Sequence, residues 1–296
     1  MKRTAICIVA ACVAAVIVDD SVLAAELTVE QIIEKNIAAR GGVEAWQKIQ
    51  TMVWVGHIES ANAPAAKMPF ALEQKRPNKT RFEIKAQNQV SQRIFDGTNG
   101  WTVRLSASGK PEVLPFTNAE LGFARDGQGI DGPLVEYAAK GVAITLDGID
   151  EVEGRKAYRL NVRLPSGVSD HLWIDAQNFL DIKYGRQLRN ALGQTGTVSV
   201  FYRNYRIIEG VQIPLTIETG TDTAKVPDRM VIDNVALNPP LEDPMFAKPQ
   251  MPGQRNAVTV DTRSPSPQSR PTAWAPPSAF PGPARPNVQP VSGDAR

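Results

Sequence analysis

The sequence predicts an α+β fold, mostly β: one large, curved antiparallel sheet or partly open barrel that carries a few short helices. Three observations lead there. Between Thr51 and Leu237, hydrophobicity alternates with a period of two in about a dozen short runs, punctuated by turn pairs such as Asp96-Gly97, Glu153-Gly154 and Glu209-Gly210. Helical periodicity is confined to two stretches before Thr51 and two more in mid-meander. The alternation is clean, so the sheet has one apolar and one polar face, as an antiparallel meander does.

The elements follow in order. Thr28 is placed to N-cap a helix, with Gln31 completing a capping box. Val29, Ile32, Ile33 and Ile37 share its apolar face, and Gly41-Gly42 end it. A shorter helical turn over 43–50 groups Val43, Trp46 and Ile49. Strands are expected over 51–59, 67–75, 79–86, 89–95 and 100–105. Phe82, Ile84 and Ala86 alternate with Arg81, Glu83 and Lys85, and Trp101, Val103 and Leu105 with Thr102 and Arg104. Thr117-Asn118-Ala119-Glu120 is a second capping box, opening a short helix with Leu121 and Phe123. The stretch from Asp126 to Gly132 is glycine-rich, and Asp131 stands where it would cap another helix over 133–140. Two short helices hinged by glycines in mid-meander make a flap, with 121–134 forming part of it. Strands then resume over 142–146, 156–164, 169–175, 179–187, 195–208, 211–219 and 229–237.

Three segments divide the chain. Lys2-Arg3 precede a nearly unbroken apolar run from Ile6 to Val18, and Val22-Leu23-Ala24 supplies the small residues of a cleavage site, so 1–24 is expected to be a signal peptide. The apolar run is shorter than the ~20 residues a membrane-spanning helix needs. Val9-Ala10-Ala11-Cys12 is similar to a lipoprotein cleavage box but leaves only a short apolar core before its cysteine. Cys7 and Cys12 both lie in this leader, so the mature chain offers no disulfide, thiolate nucleophile or cysteine metal ligand. The body, 25–248, is long enough to bury its own core. From 249 to 296 prolines and arginines dominate, among them Pro276-Pro277, Arg255 and Arg285, and a disordered tail is expected. A formal net charge of +2 favours neither a nucleic acid nor an acidic ligand as partner.

Chemistry-bearing residues are few. The only histidines, His57 and His171, sit within strands, away from any cluster with ligand spacing. There is no Gly-x-Ser-x-Gly elbow and no phosphate-binding glycine loop. The acidic stretch of Asp147, Asp150, Glu151 and Glu153 interleaves with Ile149 and Val152 and reads as a solvated turn. Asp126 and Asp131 lack the alternating oxygen ligands of a calcium loop. No enzyme activity, cofactor or metal is expected.

What stands out is a strand that is apolar on one face and ends in a cation on that face. Met68, Phe70 and Leu72 alternate with Pro69, Ala71 and Glu73; the same parity carries Gln74 and Arg76 to the apolar side before Pro77-Asn78 stops the strand. A cation aimed at an apolar surface is costly without a partner or a task. Any half-barrel must bury its concave face, commonly against its own helices. Here helical material is scarce relative to strands, and Met68, Phe70, Phe82 and Trp101 are large and adaptable. A cavity for an amphipathic guest is the functional alternative, with Met68, Phe70, Leu72, Phe82, Ile84, Trp101 and Val103 lining it and Arg76 on the same face.

These residues also carry a family resemblance. The run from Phe70 through Arg76-Pro77-Asn78-Lys79, then Arg81-Phe82 and Asp96-Gly97-Thr98-Asn99-Gly100-Trp101, resembles the outer-membrane lipoprotein carrier and lipoprotein-sorting (LolA-like) superfamily. Asp131-Gly132-Pro133-Leu134-Val135, Glu153-Gly154 with Ala157-Tyr158, and Asn238-Pro239-Pro240-Leu241 with Phe246 continue the match in order, so that it spans 27–249. The resemblance implies an unclosed β-barrel with a helical lid over a hydrophobic cavity. It implies carriage of acyl chains of lipoproteins or lipids across the periplasm of a Gram-negative bacterium, as a monomer exchanging with membrane-bound donor and acceptor proteins. It also gives Arg76, the arginine of the Arg-Pro-Asn motif, the role of a latch on the lid. The longer second half and the proline-rich tail depart from the carrier's pattern. A sensor of lipid or mislocalised lipoprotein that signals through a protein partner is the alternative role of the same fold.

Overall fold

The computed structural model describes residues 27–61, 65–87, 89–127, 129–189, 195–221 and 227–250. The expected leader, both cysteines and all but the first two residues of the expected tail lie outside the described residues. After helices α1 (Val29–Ala39) and α2 (Val43–Lys48), the chain lays down β1 (Thr51–Glu59) and steps outward. It passes through β2 (Met68–Lys75), β3 (Lys79–Ala86), β4 (Gln89–Phe95), β5 (Gly100–Leu105) and β6 (Pro111–Pro115). A crossing segment that contains α3 (Asn118–Asp126) carries it to the opposite edge of the sheet. There β7 (Ala143–Val152) starts a second meander, which returns through β8 (Arg155–Arg163), β9 (Ser169–Asp175), β10 (Asp181–Arg189), β11 (Thr195–Ile208) and β12 (Val211–Thr221). The last strand, β13 (Asp228–Leu237), pairs with β1. The thirteen strands therefore form one antiparallel sheet whose two meanders meet at its centre, and β6 and β7 are its unpaired edges. The sheet is an unclosed barrel, as the alternation predicts.

Register fixes the faces. Trp54 stands opposite Leu72, Leu72 opposite Phe82, Phe82 opposite Arg93, and Arg93 opposite Thr102. In the second meander Leu160, Leu172, Tyr184 and Val200 stand side by side. Both rows lie on the inner face, which the helices cover. Ile32 and Ile33 of α1 are buried with Leu134, Leu160 and Leu172. Trp46 of α2 and the following Ile49 are buried with Met52, Val135 and Ile213. A third cluster joins Ile58, Met68 and Phe70 to Ile217, Met230 and Ile232 across the central pair of strands. Each such side chain contributes about 1.5–3 kcal/mol on burial.

Two glycines are required by close approach. A Cβ at Gly56 would lie 2.0 Å from the Val231 carbonyl oxygen, where β1 bulges against β13. Gly41 has φ +114°, and a Cβ there would lie 2.3 Å from the Gly210 carbonyl oxygen, so the α1–α2 corner seats directly on the β11–β12 hairpin. Both expected capping boxes are present, at Thr28/Gln31 and Thr117/Glu120.

Three local expectations change. The helix over 133–140 does not form: residues 130–141 are turns, with Glu136 at φ 52°. Asp131 does not cap a helix; its carboxylate is wholly buried and engaged elsewhere. Asp147-Gly148, a turn signal in sequence, is a β-bulge at Gly148 φ +130°, so β7 runs on to Val152. Finally, β6 carries no strand signal because a proline sits at each end, the pattern of an edge strand.

Candidate binding cavity

A cavity of about 290 Å³ lies between the inner face and the crossing segment. Its apolar wall comes from Leu72, Leu172, Val200, Ile213 and Ile217, with Trp54 at the centre of the sheet. Ile130 and Pro133 of the crossing segment roof it. Polar groups interrupt the wall on one side: Arg40, Asp181, Tyr184, Arg186, Tyr202 and Tyr205. Asp181 accepts from Asn36 Nδ2 at 2.8 Å and faces Arg40 Nε at 3.9 Å. The Tyr205 hydroxyl donates to the Asp181 backbone oxygen at 2.9 Å. Burial raises the pKa of Tyr184, Tyr202 and Tyr205, in each case helped by a nearby aspartate, so all three are neutral donors.

The structure separates the expected lining residues into three groups. Leu72 lines the cavity. Met68 and Phe70 are buried, and Phe82 and Ile84 pack on them, the Phe70 and Phe82 rings being 5.9 Å apart; these four form packed core on the inner face beside the cavity. Trp101 and Val103 are on the outer face and take no part in it. Trp101 pairs with Ile94, and Ile94 with Arg81, whose row also holds Glu73. The inner row passes instead through Arg93 and Thr102. Alternation within a strand fixes relative parity only; which parity faces inward depends on cross-strand register.

Arg76 points inward, as its parity requires, and it binds three acceptors on two other pieces of chain. Its Nε donates to the Ile49 carbonyl at 2.8 Å, and Nη2 donates to the Trp46 carbonyl at 3.0 Å and to Asp131 Oδ2 at 2.8 Å. Lys140 Nζ donates to Asp131 Oδ1 at 2.6 Å and to the Gly132 carbonyl at 2.7 Å. Desolvation pulls the Lys140 pKa below the ordinary lysine value, its contacts with Asp131 opposing the shift. Arg40 Nη1 donates to the Asp131 backbone oxygen at 3.1 Å. One fully buried carboxylate thus joins α2, the end of β2 and the crossing segment.

The α3 part of the crossing segment is held differently. Arg93 Nη1 donates to Glu120 Oε1 at 2.9 Å, and its guanidinium lies 4.4 Å from the Phe116 ring. Asn78 Nδ2 donates to the Ala124 and Arg125 carbonyls at 3.1 and 3.3 Å. From the other meander, Ser166 Oγ donates to Asp126 Oδ2 at 2.5 Å, and the Arg186 guanidinium stacks 4.4 Å from the Phe123 ring. Hairpin turns of both meanders therefore meet at the C-terminal end of α3.

Sequence reading overlooked Arg186, Tyr202, Arg40 and Asp181. The signal that marks Arg76 is also present for Arg186, a cation that follows Ile182 and Tyr184 at the same parity, but not for Arg93, whose parity in β4 is shared by Gln89 and Ser91. On β10 it is hidden by a register shift between Asp181 and Lys183, which turns Ile182 outward and Tyr184 inward. Both histidines belong to outer-face rows, His57 Nδ1 lying 3.2 Å from Asp233 and His171 Nε2 3.1 Å from Asp147. Among the described residues, no group of three or more His, Cys, Asp or Glu could hold a metal ion. No described helix is long and apolar enough to cross a membrane.

No family model matches the sequence, and no curated protein matches it. Solved structures do. A LolA superfamily protein from Nitrosomonas europaea is 16% identical, with a TM-score of 0.48, covering 75% of this chain and 98% of that one. A DUF1329 family protein from Desulfovibrio piger is 12% identical, with a TM-score of 0.49 over 74% of this chain and 97% of that one. A putative outer membrane lipoprotein-sorting protein domain from Vibrio parahaemolyticus is 12% identical, with a TM-score of 0.48 over 73% of this chain and 95% of that one.

Proposed function

We propose that this protein is a periplasmic carrier that shelters acyl chains of lipoproteins or lipids in the cavity, without catalysing a reaction. The observation that carries the reading is a largely apolar cavity of about 290 Å³ under a segment pinned by Arg76 and Asp131. That is close to twice the roughly 150 Å³ of an engineered apolar cavity that holds benzene. The closed form accommodates part of one chain; a longer guest requires α3 to move away where Asp126 and Gly127 border the cavity. The apolar wall supplies affinity, and the polar contacts that hold α3, from Asn78, Arg93 and Ser166, supply a closed state that can be exchanged for an open one.

The test is direct. The exported protein, purified from its envelope fraction, should yield acyl lipid on organic extraction and mass spectrometry. The delipidated protein should bind a fluorescent fatty-acid probe, and unlabelled fatty acid should displace it. Absence of both co-purifying lipid and probe binding would end the carrier reading. Transfer of bound lipid between vesicle populations is expected of a carrier, whereas recovery of one stoichiometric protein partner without transfer would mark a sensor.

A further inference from the structure

We infer that the preferred guest is a single-chain amphiphile with a carboxylate head, held by the Arg186 guanidinium and the Tyr202 hydroxyl. The inference rests on the proposed reading of the cavity as an acyl-chain shelter and names the class of chain.

Arg186 stands opposite Val198 on the inner face and lines the cavity. A guanidinium has five N–H donors. None of them hydrogen-bonds to a described residue; the closest carboxylate oxygen, Asp170 Oδ2, is 3.6 Å from Nε. Two aromatic rings, Phe123 at 4.4 Å and Tyr184 at 5.5 Å, hold the group in place without using those donors. Tyr202, on the neighbouring strand, also lines the cavity, and its hydroxyl makes no hydrogen bond to a described residue. Arg40 and Asp181 line the same cavity as Arg186 and Tyr202, and they face each other at 3.9 Å.

Acceptors in the same region are already engaged or sealed off. Asp181 accepts from Asn36, Asp170 Oδ2 accepts from the Tyr184 hydroxyl at 2.8 Å, and Asp126 accepts from Ser166. Asp170 Oδ1 is unpaired but is buried away from the cavity surface. The spare capacity is therefore for donation, and the guest must supply acceptor oxygens. A carboxylate can take two parallel N–H bonds from one guanidinium and a third from the tyrosine. The volume selects one chain: a cavity of this size leaves no space for the several acyl chains of a bulkier lipid while closed.

Isothermal titration of the delipidated protein with hexadecanoate, hexadecanol, methyl hexadecanoate and hexadecyl phosphate tests this. Hexadecanoate should bind about tenfold or more tighter than the alcohol and the ester, the scale of a hydrogen bond to a charged group. Arg186→Met should reduce hexadecanoate to the level of the alcohol while leaving the alcohol unchanged. Tyr202→Phe, which removes one oxygen and keeps the ring, should weaken hexadecanoate alone, by several-fold; it decides the matter if Arg186→Met does not fold. Equal affinity for acid, alcohol and ester overturns the inference and leaves the shelter intact, and so does an Arg186 variant that weakens all guests alike. Tighter binding of the alkyl phosphate overturns the carboxylate assignment. If no guest binds at all, the shelter reading falls with it.

Discussion

The two halves of the crossing segment make an instructive pair. Its second half is bolted down: Asp131, Leu134 and Val135 are completely buried, and Asp131 joins Arg76 to Lys140. Its first half, α3, buries only Glu120, and its other ties are hydrogen bonds and stacked arginines at the rim. Gly127 and Gly129 lie between them, Gly129 at φ +65°. Cooperative burial resists opening, whereas rim contacts can be traded for water at little cost. On the proposed reading, opening falls to α3, while the contact of Arg76 with Asp131 holds the half that stays put.

The largest effect should come from the bolted half. Asp131→Ala leaves Arg76 and Lys140 without their shared carboxylate and should cost about 3–5 kcal/mol in urea unfolding. Leu134→Ala should cost about 2–5 kcal/mol by opening a void in the core shared with Ile32 and Leu160. Asn78→Ala tests the rim. It removes only the hydrogen bonds to the Ala124 and Arg125 carbonyls, so stability should fall by only about 1 kcal/mol. Release of a fluorescent acyl probe should nevertheless accelerate, and α3 amides should exchange hydrogen sooner while those of 131–135 do not change. A variant that frees both halves together would erase the distinction.

The smallest effect is a pH dependence. Asp170 is almost wholly buried behind Arg186, and burial raises its pKa, with Arg186 and the Tyr184 hydroxyl opposing. Over the interval just above the ordinary aspartate value of about 3.9, the folded protein therefore holds a proton that the unfolded chain has released. This group's contribution to stability should fall as pH rises through that interval and then level off. Asp170→Asn should remove that fall, visible as a flatter urea midpoint against pH; an unchanged profile would mean that the carboxyl titrates normally.

Much of this architecture is legible in the sequence, and the misses come from long-range pairing and from local chemistry that looks like something else. Strand boundaries, both capping boxes and the inward direction of Arg76 follow from period and from local chemistry. What alternation cannot supply is the cross-strand register that turns Trp101 outward, or the bulges that extend β7 and re-aim Tyr184. The cavity itself sits mainly against the second meander, because Phe70, Phe82 and Ile84 fill the first with their own packing. The Asp131 carboxylate read as a cap since its neighbours look helical, yet its partners are Arg76 and Lys140.

The pairing of β1 with β13 has a consequence for how the protein is made. Met52 finds Leu237 only after almost the whole described chain exists. While the chain is being made, the first meander therefore emerges with the open edge of β1 unprotected, an invitation to intermolecular strand pairing. Contacts so distant in sequence form slowly. The seam at the centre of the sheet is the last to be sewn, and any factor that shields a nascent strand edge would act there.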